Sequence, residues 1–155
     1  MRKTIDPSLA VHSTLPGHDW LDLENLARVE LSSEDKTHPI ENALILGREA
    51  GWKAAEPGLQ TIRIVFDEPR ALRHIHLVFT EDRRTRTQEF TLRWSRENRP
   101  PFETIVRQQY TFTPKSSEVE DYAVTLNGLK MLDLEILPSI AGSDCCASLL
   151  ELRLR

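Results

Sequence analysis

The 155-residue sequence has no apolar run approaching the ~20 residues that a membrane-spanning helix needs. Near the N-terminus, Asp6, Pro7 and His12 interrupt any hydrophobic stretch, so no signal peptide is expected. The six glycines are scattered singly, which excludes the glycine-rich loop that cradles a phosphate. Membrane insertion, export and nucleotide binding of that kind are therefore not expected.

Cysteine is scarce, and the two that occur, Cys145 and Cys146, are adjacent. Neighbouring cysteines can close only a strained ring, so reduced thiols are expected. Two adjacent sulfurs without a further C-x-x-C partner do not build a tetrahedral metal site. Reduced cysteines favour a cytoplasmic protein.

The chain also has no excess of basic charge. Twenty Lys and Arg residues against 24 Asp and Glu give a formal net charge of −4, which disfavours binding to nucleic acid or to an anionic membrane. No G-x-S-x-G motif occurs, so nucleophilic catalysis has no support. With 39% hydrophobic and 28% charged residues, the chain has the composition of one soluble domain, taken to span residues 1–155. A non-enzymatic protein is expected.

Period-two alternation of apolar residues is abundant, and it predicts strands. It occurs over residues 62–66, 75–79, 90–94, 106–112, 122–126, 132–136 and 150–154, separated by turn signals at 56–58, 67–69, 98–101 and 127–128. The opposite strand faces are polar, which is typical of antiparallel sheets. One stretch has helical spacing instead, with Ile40, Ala43 and Leu44 before Gly47. The sequence predicts an all-β, eight-stranded antiparallel jelly-roll β-sandwich with one short helix near residues 40–47.

The order of these segments carries a family resemblance. Residues 32–79, which contain "HPIENALILGREAGW", resemble the opening of the discoidin, or coagulation factor 5/8 type C, family. The similarity continues through "QEFTLRWS", "VEDYAVTLNGLKMLDLEILP" and the closing "SLLELRL". The resemblance implies the galactose-binding-like fold, with ligand-binding loops at one end of the jelly roll. Such domains include lectins, carbohydrate-binding modules, phospholipid-binding domains and intracellular protein-binding domains, so the fold does not specify the ligand.

An arginine-rich loop at residues 80–87 stands at the end that the resemblance assigns to ligand, beside the loop that follows Trp52. Arginine forks suit hydroxyls, carboxylates and phosphates. The predicted ligand-binding residues are the polar side chains of these two loops: Arg83, Arg84, Arg86, Lys53, Glu56 and Gln60. The expected ligand is a carbohydrate or a similar small polar group.

Two alternatives to a small-ligand site remain. The arginines could merely pair with Glu81 and Asp82 and serve solubility. The same loops could instead bind another protein, and a polar sheet face would also suit a wet protein interface. That face carries Arg63, His74, His76, Arg93, Asp133 and Glu135.

Two metal hypotheses are weaker. The spacing of His74, His76 and Glu81 matches the core of the cupin metal motif, but no histidine follows His76 and the flanking glycines are missing. In the discoidin resemblance, Asn42 and Glu151 could supply oxygens to a structural calcium, yet the family's acidic residue after the small helix is replaced here by "ILGRE". No cofactor is expected.

The three tryptophans are expected to pack rather than bind ligand. Trp52 follows a glycine and Trp94 lies on the apolar face of its strand, so both are predicted to be core residues. Trp20 is predicted to anchor an N-terminal arm, residues 1–26, onto the sandwich.

Overall fold

The computed structural model describes residues 2–3, 20–142 and 144–155. Its two short helices are α1 (Leu23–Leu26) and α2 (Glu41–Leu44), and neither of these helices in the described residues is long enough to cross a membrane. The eight strands are β1 (Ala27–Leu31), β2 (Trp52–Pro57), β3 (Gln60–Glu81), β4 (Arg86–Ser95), β5 (Glu103–Phe112), β6 (Ser116–Leu137), β7 (Cys146–Leu149) and β8 (Glu151–Leu154). The all-β prediction is confirmed. The helix predicted near residues 40–47 is the four-residue α2, and α1 was not predicted.

Two long strands build both layers of the sandwich. The first part of β3 and the last part of β6 form one layer with β1, β4 and β5, in the order β1-β3-β6-β4-β5. The later part of β3 pairs with the early part of β6 and with β8 to form the other layer. The strands β2 and β7 form a separate two-stranded ribbon, and all pairings are antiparallel. This is the predicted antiparallel β-sandwich.

The turns predicted at residues 67–69 and 127–128 are not chain reversals. Both lie inside long strands, where the pairing of β3 with β6 shifts register between Val65 and His74. Pro69 lacks the N–H that a regular ladder needs, and Gly128 has a positive φ of 74°. The two signals therefore mark the bend where both strands pass from one layer to the other.

The core lies between the two layers and follows the predicted alternation. Phe66, Phe79, Phe90 and Phe112 are almost completely buried, and the rings of Phe79 and Phe90 lie 5.2 Å apart. Burying one such ring stabilises the fold by roughly 1.5–3 kcal/mol. Trp52 and Trp94 are buried as well, as predicted.

Asp133 departs from the prediction that its strand face is solvated, because its side chain is fully buried. Arg63 donates to both of its oxygens at 2.8 and 2.9 Å, and Arg93 donates at 3.3 Å. The ring of Phe102 lies over both guanidinium groups, 5.5 and 4.7 Å from their central carbons. Part of the predicted open polar face is therefore a covered ion-pair cluster.

Gly51 makes a close backbone approach that no other residue type tolerates. Its φ is +67°, and a Cβ built there would lie 2.6 Å from the carbonyl oxygen of Leu149. We expect Gly51→Ala to lower the free energy of unfolding by about 2 kcal/mol, since backbone strain and a backbone clash add. Gly47→Ala is the matched control, because Gly47 also has a positive φ but open space around it. Urea unfolding of both variants measures the difference, and equal losses would contradict the clash.

Candidate functional site

A depression of about 940 Å³ opens where the β3–β4 connection, the start of β2 and the segment around β7 meet. Its lining residues lie within residues 34–36, 50–55, 80–86 and 144–150. We call this feature the loop depression. The sequence segments that line it are far apart in the chain, so the site is a product of the fold.

The floor of the loop depression is held by Trp52, which is 1% exposed and donates from Nε1 to the carbonyl oxygen of Ser33 at 3.3 Å. One wall is the loop after β1, which is attached to β2 by backbone hydrogen bonds. The amide of Asp35 donates to Lys53 at 2.9 Å, and the amide of Lys53 donates to His38 at 3.1 Å. These bonds fix Asp35 and Lys53 beside each other.

The facing wall is the β3–β4 connection, and Glu81 sets its shape. The carboxylate of Glu81 accepts from Arg86 Nε at 2.6 Å and from the amide of Arg83 at 2.9 Å. Although burial raises it, the pKa of Glu81 is lowered overall by these donors. The connection is not a hairpin, because β3 pairs with β6 and not with β4. Its exposed tip presents Arg83 and Arg84 to the depression.

Three of the predicted ligand-binding residues, Lys53, Arg83 and Arg84, are exposed and line the loop depression together. Among the described residues, the side chains of Lys53 and Arg83 make neither a hydrogen bond nor an ion pair. Arg84 pairs with Asp144 at 3.4 Å. The three side chains thus form an exposed cationic part of the lining of the loop depression.

Arg86 has a different role from its neighbours, because it is 7% exposed. It bonds Glu81, donates to the carbonyl oxygen of Pro138 at 2.8 Å and to Gln88 Oε1 at 3.2 Å, and its guanidinium lies 4.5 Å from the ring centre of Phe112. Its donors are engaged inside the protein. Arg86 therefore supports the wall of the depression from below.

Glu56 and Gln60 lie outside the lining of the loop depression. Gln60 is 4% exposed, accepts from Ser33 Oγ at 2.7 Å and donates to the carbonyl oxygen of Glu56 at 3.2 Å. Its role in the structure is to join β3 to β2 and to the loop after β1. Glu56 is exposed on β2 but does not face the depression.

The acidic lining residues were missed by the sequence reasoning. Glu34 and Asp35 follow β1, and Asp144 precedes β7. The pKa of Asp35 is lowered, first by the amide of Thr37, which donates at 3.0 Å. The acids of "SSEDK" were the available signal, but nothing in the sequence shows that this segment folds against β2.

Charge in the loop depression is balanced and interleaved. Its described lining carries equal numbers of cationic and acidic side chains: Lys36, Lys53, Arg83, Arg84 and Arg86 against Glu34, Asp35, Glu81, Asp82 and Asp144. Asp35 adjoins Lys53, and Asp144 adjoins Arg84. Cationic and acidic side chains are therefore neighbours at several places in the lining, and neither sign of charge dominates.

The cupin-like hypothesis does not fit the geometry. His74 Nε2 and His76 Nδ1 lie 2.9 and 2.7 Å from the same oxygen of Asp121, on the outward face of β3, whereas Glu81 faces the depression and bonds Arg86. Hydrogen bonds from the two histidines lower the pKa of Asp121. In the part of the chain that the structure describes, no group of three or more His, Cys, Asp or Glu residues could hold a metal ion.

Trp20 covers this histidine pair. Its ring centre lies 5.6 Å from that of His74 and 5.9 Å from that of His76, and the guanidinium of Arg155 lies 4.8 Å from it. Trp20 thus packs on the sandwich. Most of the predicted arm, residues 4–19, lies outside the described residues, so the arm and the single-domain span stay predictions.

The place suggested for a structural calcium is taken by the side chain of Arg153. The carboxylate of Glu151 accepts from Arg153 Nη2 at 3.1 Å, and Arg153 also donates to the carbonyl oxygen of Ala43 at the end of α2. A buried guanidinium thus stands among the oxygens that a calcium ion would need. Asn42 lies in α2, and the carboxylate of Glu151 is engaged by Arg153.

The fold is shared with solved binding modules. The family 32 carbohydrate-binding module of C. perfringens NanJ, in complex with galactose, is 12% identical, with a TM-score of 0.63 over 87% of this chain and 96% of that chain. A family 32 carbohydrate-binding module (CBM32-3) from a family 31 glycoside hydrolase of Clostridium perfringens is 17% identical, with a TM-score of 0.63 over 91% of this chain and 97% of that chain. An F5/8 type C domain from Bacteroides fragilis is 16% identical, with a TM-score of 0.60 over 87% and 93%. These likenesses confirm the discoidin-like fold.

Sequence similarity identifies the family. No curated protein matches the chain significantly. The family model described as the XRCC1 N terminal domain matches residues 23–133, from the start of α1 into the last part of β6. Because this match spans most of the 155 residues, the chain belongs to the XRCC1 N terminal domain family.

Proposed function

We propose that the protein is a non-catalytic binding module that recognises a carbohydrate, or a similar small polar ligand, through the loop depression. The observation that carries this proposal is the lining, in which Lys53 and Arg83 are exposed and unpaired among the described residues beside an interleaved set of acids. A solved module of the same fold binds galactose, which supports a sugar as the ligand class.

The alternation of charges suits hydroxyl groups. A sugar hydroxyl donates one hydrogen bond and accepts others, so it can donate to a carboxylate while it accepts from a neighbouring cation. The adjoining pairs Asp35 with Lys53 and Asp144 with Arg84 offer both functions side by side. Adjacent hydroxyls of a sugar ring would each find a partner at such a pair.

The lining also sets the expected affinity. Trp52 lies under the floor at 1% exposure, so its ring face is not available for a sugar to stack on. Binding would rest on hydrogen bonds with little apolar contact, which gives weak single-site affinity, on the order of mM to tens of μM. A module of such weak affinity binds more tightly when it is linked to other binding sites or when its ligand is repeated.

Arg83 is the residue to test. We expect Arg83→Gln to weaken binding of the preferred saccharide about tenfold or more, since a hydrogen bond to a charged group is worth about 1.5–3 kcal/mol. Calorimetric titration with a panel of neutral, acidic and amino sugars measures this. Arg28→Gln is the matched control, because Arg28 is an exposed arginine on β1 outside the depression.

Failure of the wild type to bind any sugar of the panel would remove the carbohydrate proposal. If wild type and Arg83→Gln bind the sugar equally well, the binding site lies outside the loop depression. The second candidate function, recognition of another protein by the same loops, would then be tested by co-purification with wild type against Arg83→Gln. We place the module in the cytoplasm, where Cys145 and Cys146 would stay reduced.

A further inference from the structure

Arg153 is a charged residue placed where a β-sandwich normally holds apolar side chains. It lies on β8, is 4% exposed, and points toward the C-terminal end of α2. Nη1 donates to the carbonyl oxygens of Ala43 at 2.8 Å and Leu152 at 3.0 Å, and Nη2 donates to Glu151 at 3.1 Å and to the carbonyl oxygen of Ile45 at 3.5 Å. One guanidinium thus gathers four oxygens from two separate parts of the chain.

These oxygens have the character of a cation site. Three are backbone carbonyls, two of them from the α2 turn, and the fourth is a carboxylate. Carbonyl and carboxylate oxygens are the ligands that a hard divalent cation prefers. The discoidin resemblance implies a structural calcium beside the acidic residue that follows the short helix, and Glu151 matches the family's C-terminal glutamate.

We propose that Arg153 is the built-in cation of this site and makes a bound calcium ion unnecessary. Its positive charge satisfies the carbonyl oxygens of Ala43 and Ile45 and the carboxylate of Glu151, as the metal would. A guanidinium and a calcium ion cannot bind the same oxygen atoms at once. The wild-type protein should therefore not bind calcium at this place.

The same contacts connect Arg153 to the candidate site. The segment between β1 and β2 contains α2, and its first part forms one wall of the loop depression. By holding the end of α2 against β8, Arg153 fixes a second part of the same segment. The shape of the wall therefore does not depend on the supply of a metal.

Burial makes the arrangement costly to disturb. Burial lowers the pKa of Arg153, while Glu151 acts in the opposite direction, and Nε is a buried donor without a hydrogen-bond partner in the described structure. An arginine stays protonated in proteins, so the charge is permanent. Removal of the side chain would leave carbonyl and carboxylate oxygens around an opening of about its size.

Calcium rescue tests the proposal. The melting temperature of the wild type should be the same in 5 mM calcium chloride and in EDTA. Arg153→Ser should melt about 10 °C lower in EDTA, and calcium should restore several degrees by binding the freed oxygens. The double variant Arg153→Ser with Glu151→Gln should lose this calcium response, because one charged ligand is gone.

A wild type that calcium stabilises, or a folded Arg153→Ser that calcium leaves unchanged, would overturn the proposal. Should Arg153→Ser fold only when calcium is present, the proposal is supported. If it folds in neither condition, Arg153→Lys decides, since lysine keeps the positive charge. Melting of Arg153→Lys well above Arg153→Met supports a built-in cation, and equal melting of the two overturns it.

Discussion

Replacing Arg86 with methionine should lower the free energy of unfolding by about 4 kcal/mol, because removal of one partner from a buried ion pair leaves an uncompensated charge. The side chains of Arg86 and Glu81 are 4% and 14% exposed, and the distance between Nε and Oε1 is 2.6 Å. The variant also loses the hydrogen bond to Pro138 and the contact with the ring of Phe112. Urea unfolding at pH 7 measures the loss.

Arg83→Met is the matched control for Arg86→Met. Arg83 lies in the same connection, is exposed, and makes no side-chain ion pair among the described residues, so its loss should change stability by less than about 0.5 kcal/mol. The two variants therefore separate the internal support that Arg86 gives to the wall from the ligand contact proposed for Arg83. Similar stability of the two variants would mean that Arg86 is not the internal support described above.

Replacing Glu118 with glutamine should raise stability at pH 8 by a few kcal/mol. Glu118 is 2% exposed, and neither of its carboxylate oxygens has a hydrogen-bond partner in the described structure. Burial, followed by the neighbouring Glu120, raises the pKa of Glu118 from 4.5 to about 8. Glutamine keeps the shape of the neutral acid but cannot ionise.

The direction of the pH effect follows from the two states. In the unfolded chain Glu118 ionises near pH 4.5, whereas in the folded protein it keeps its proton until about pH 8. The contribution of the Glu118 carboxyl to the free energy of unfolding is therefore fully present below pH 4.5. It is lost as the pH rises toward 8, at up to about 1.4 kcal/mol per pH unit.

Unfolding measured at each pH from 5 to 9 should show the wild type and Glu118→Gln converging at low pH and diverging at high pH. Glu24→Gln, which changes an exposed acid on α1, is the control and should follow the wild-type curve. Parallel curves for wild type and Glu118→Gln would contradict the raised pKa.

The strands could be predicted because alternation in sequence is alternation in space. Ile75, Leu77 and Phe79 repeat every second residue, and all three are buried. The pattern does not show where a strand continues past a turn signal. The turn-like "DEP" and "NG" suggested chain reversals, yet β3 continues past the first and β6 past the second because the two strands pair with each other. Local turn preference was overridden by the ladder between two strands far apart in sequence.

The candidate site was predictable in part for a similar reason. Lys53, Arg83 and Arg84 meet in one depression, as the order of elements implied. Arg86 has the same residue type in the same loop, but its burial depends on Phe112 and Pro138, which are distant in sequence. The acidic wall and the buried Arg153 depend on tertiary contacts too, so composition and spacing alone could not assign them.

Because β3 and β6 each run through both layers, the two layers are joined by the covalent backbones of both strands as well as by the side chains packed between them. Slippage between the layers, which two independent sheets would permit, is blocked at the bend. The sandwich should open as one cooperative unit. The segments that line the loop depression are attached to this frame at their ends.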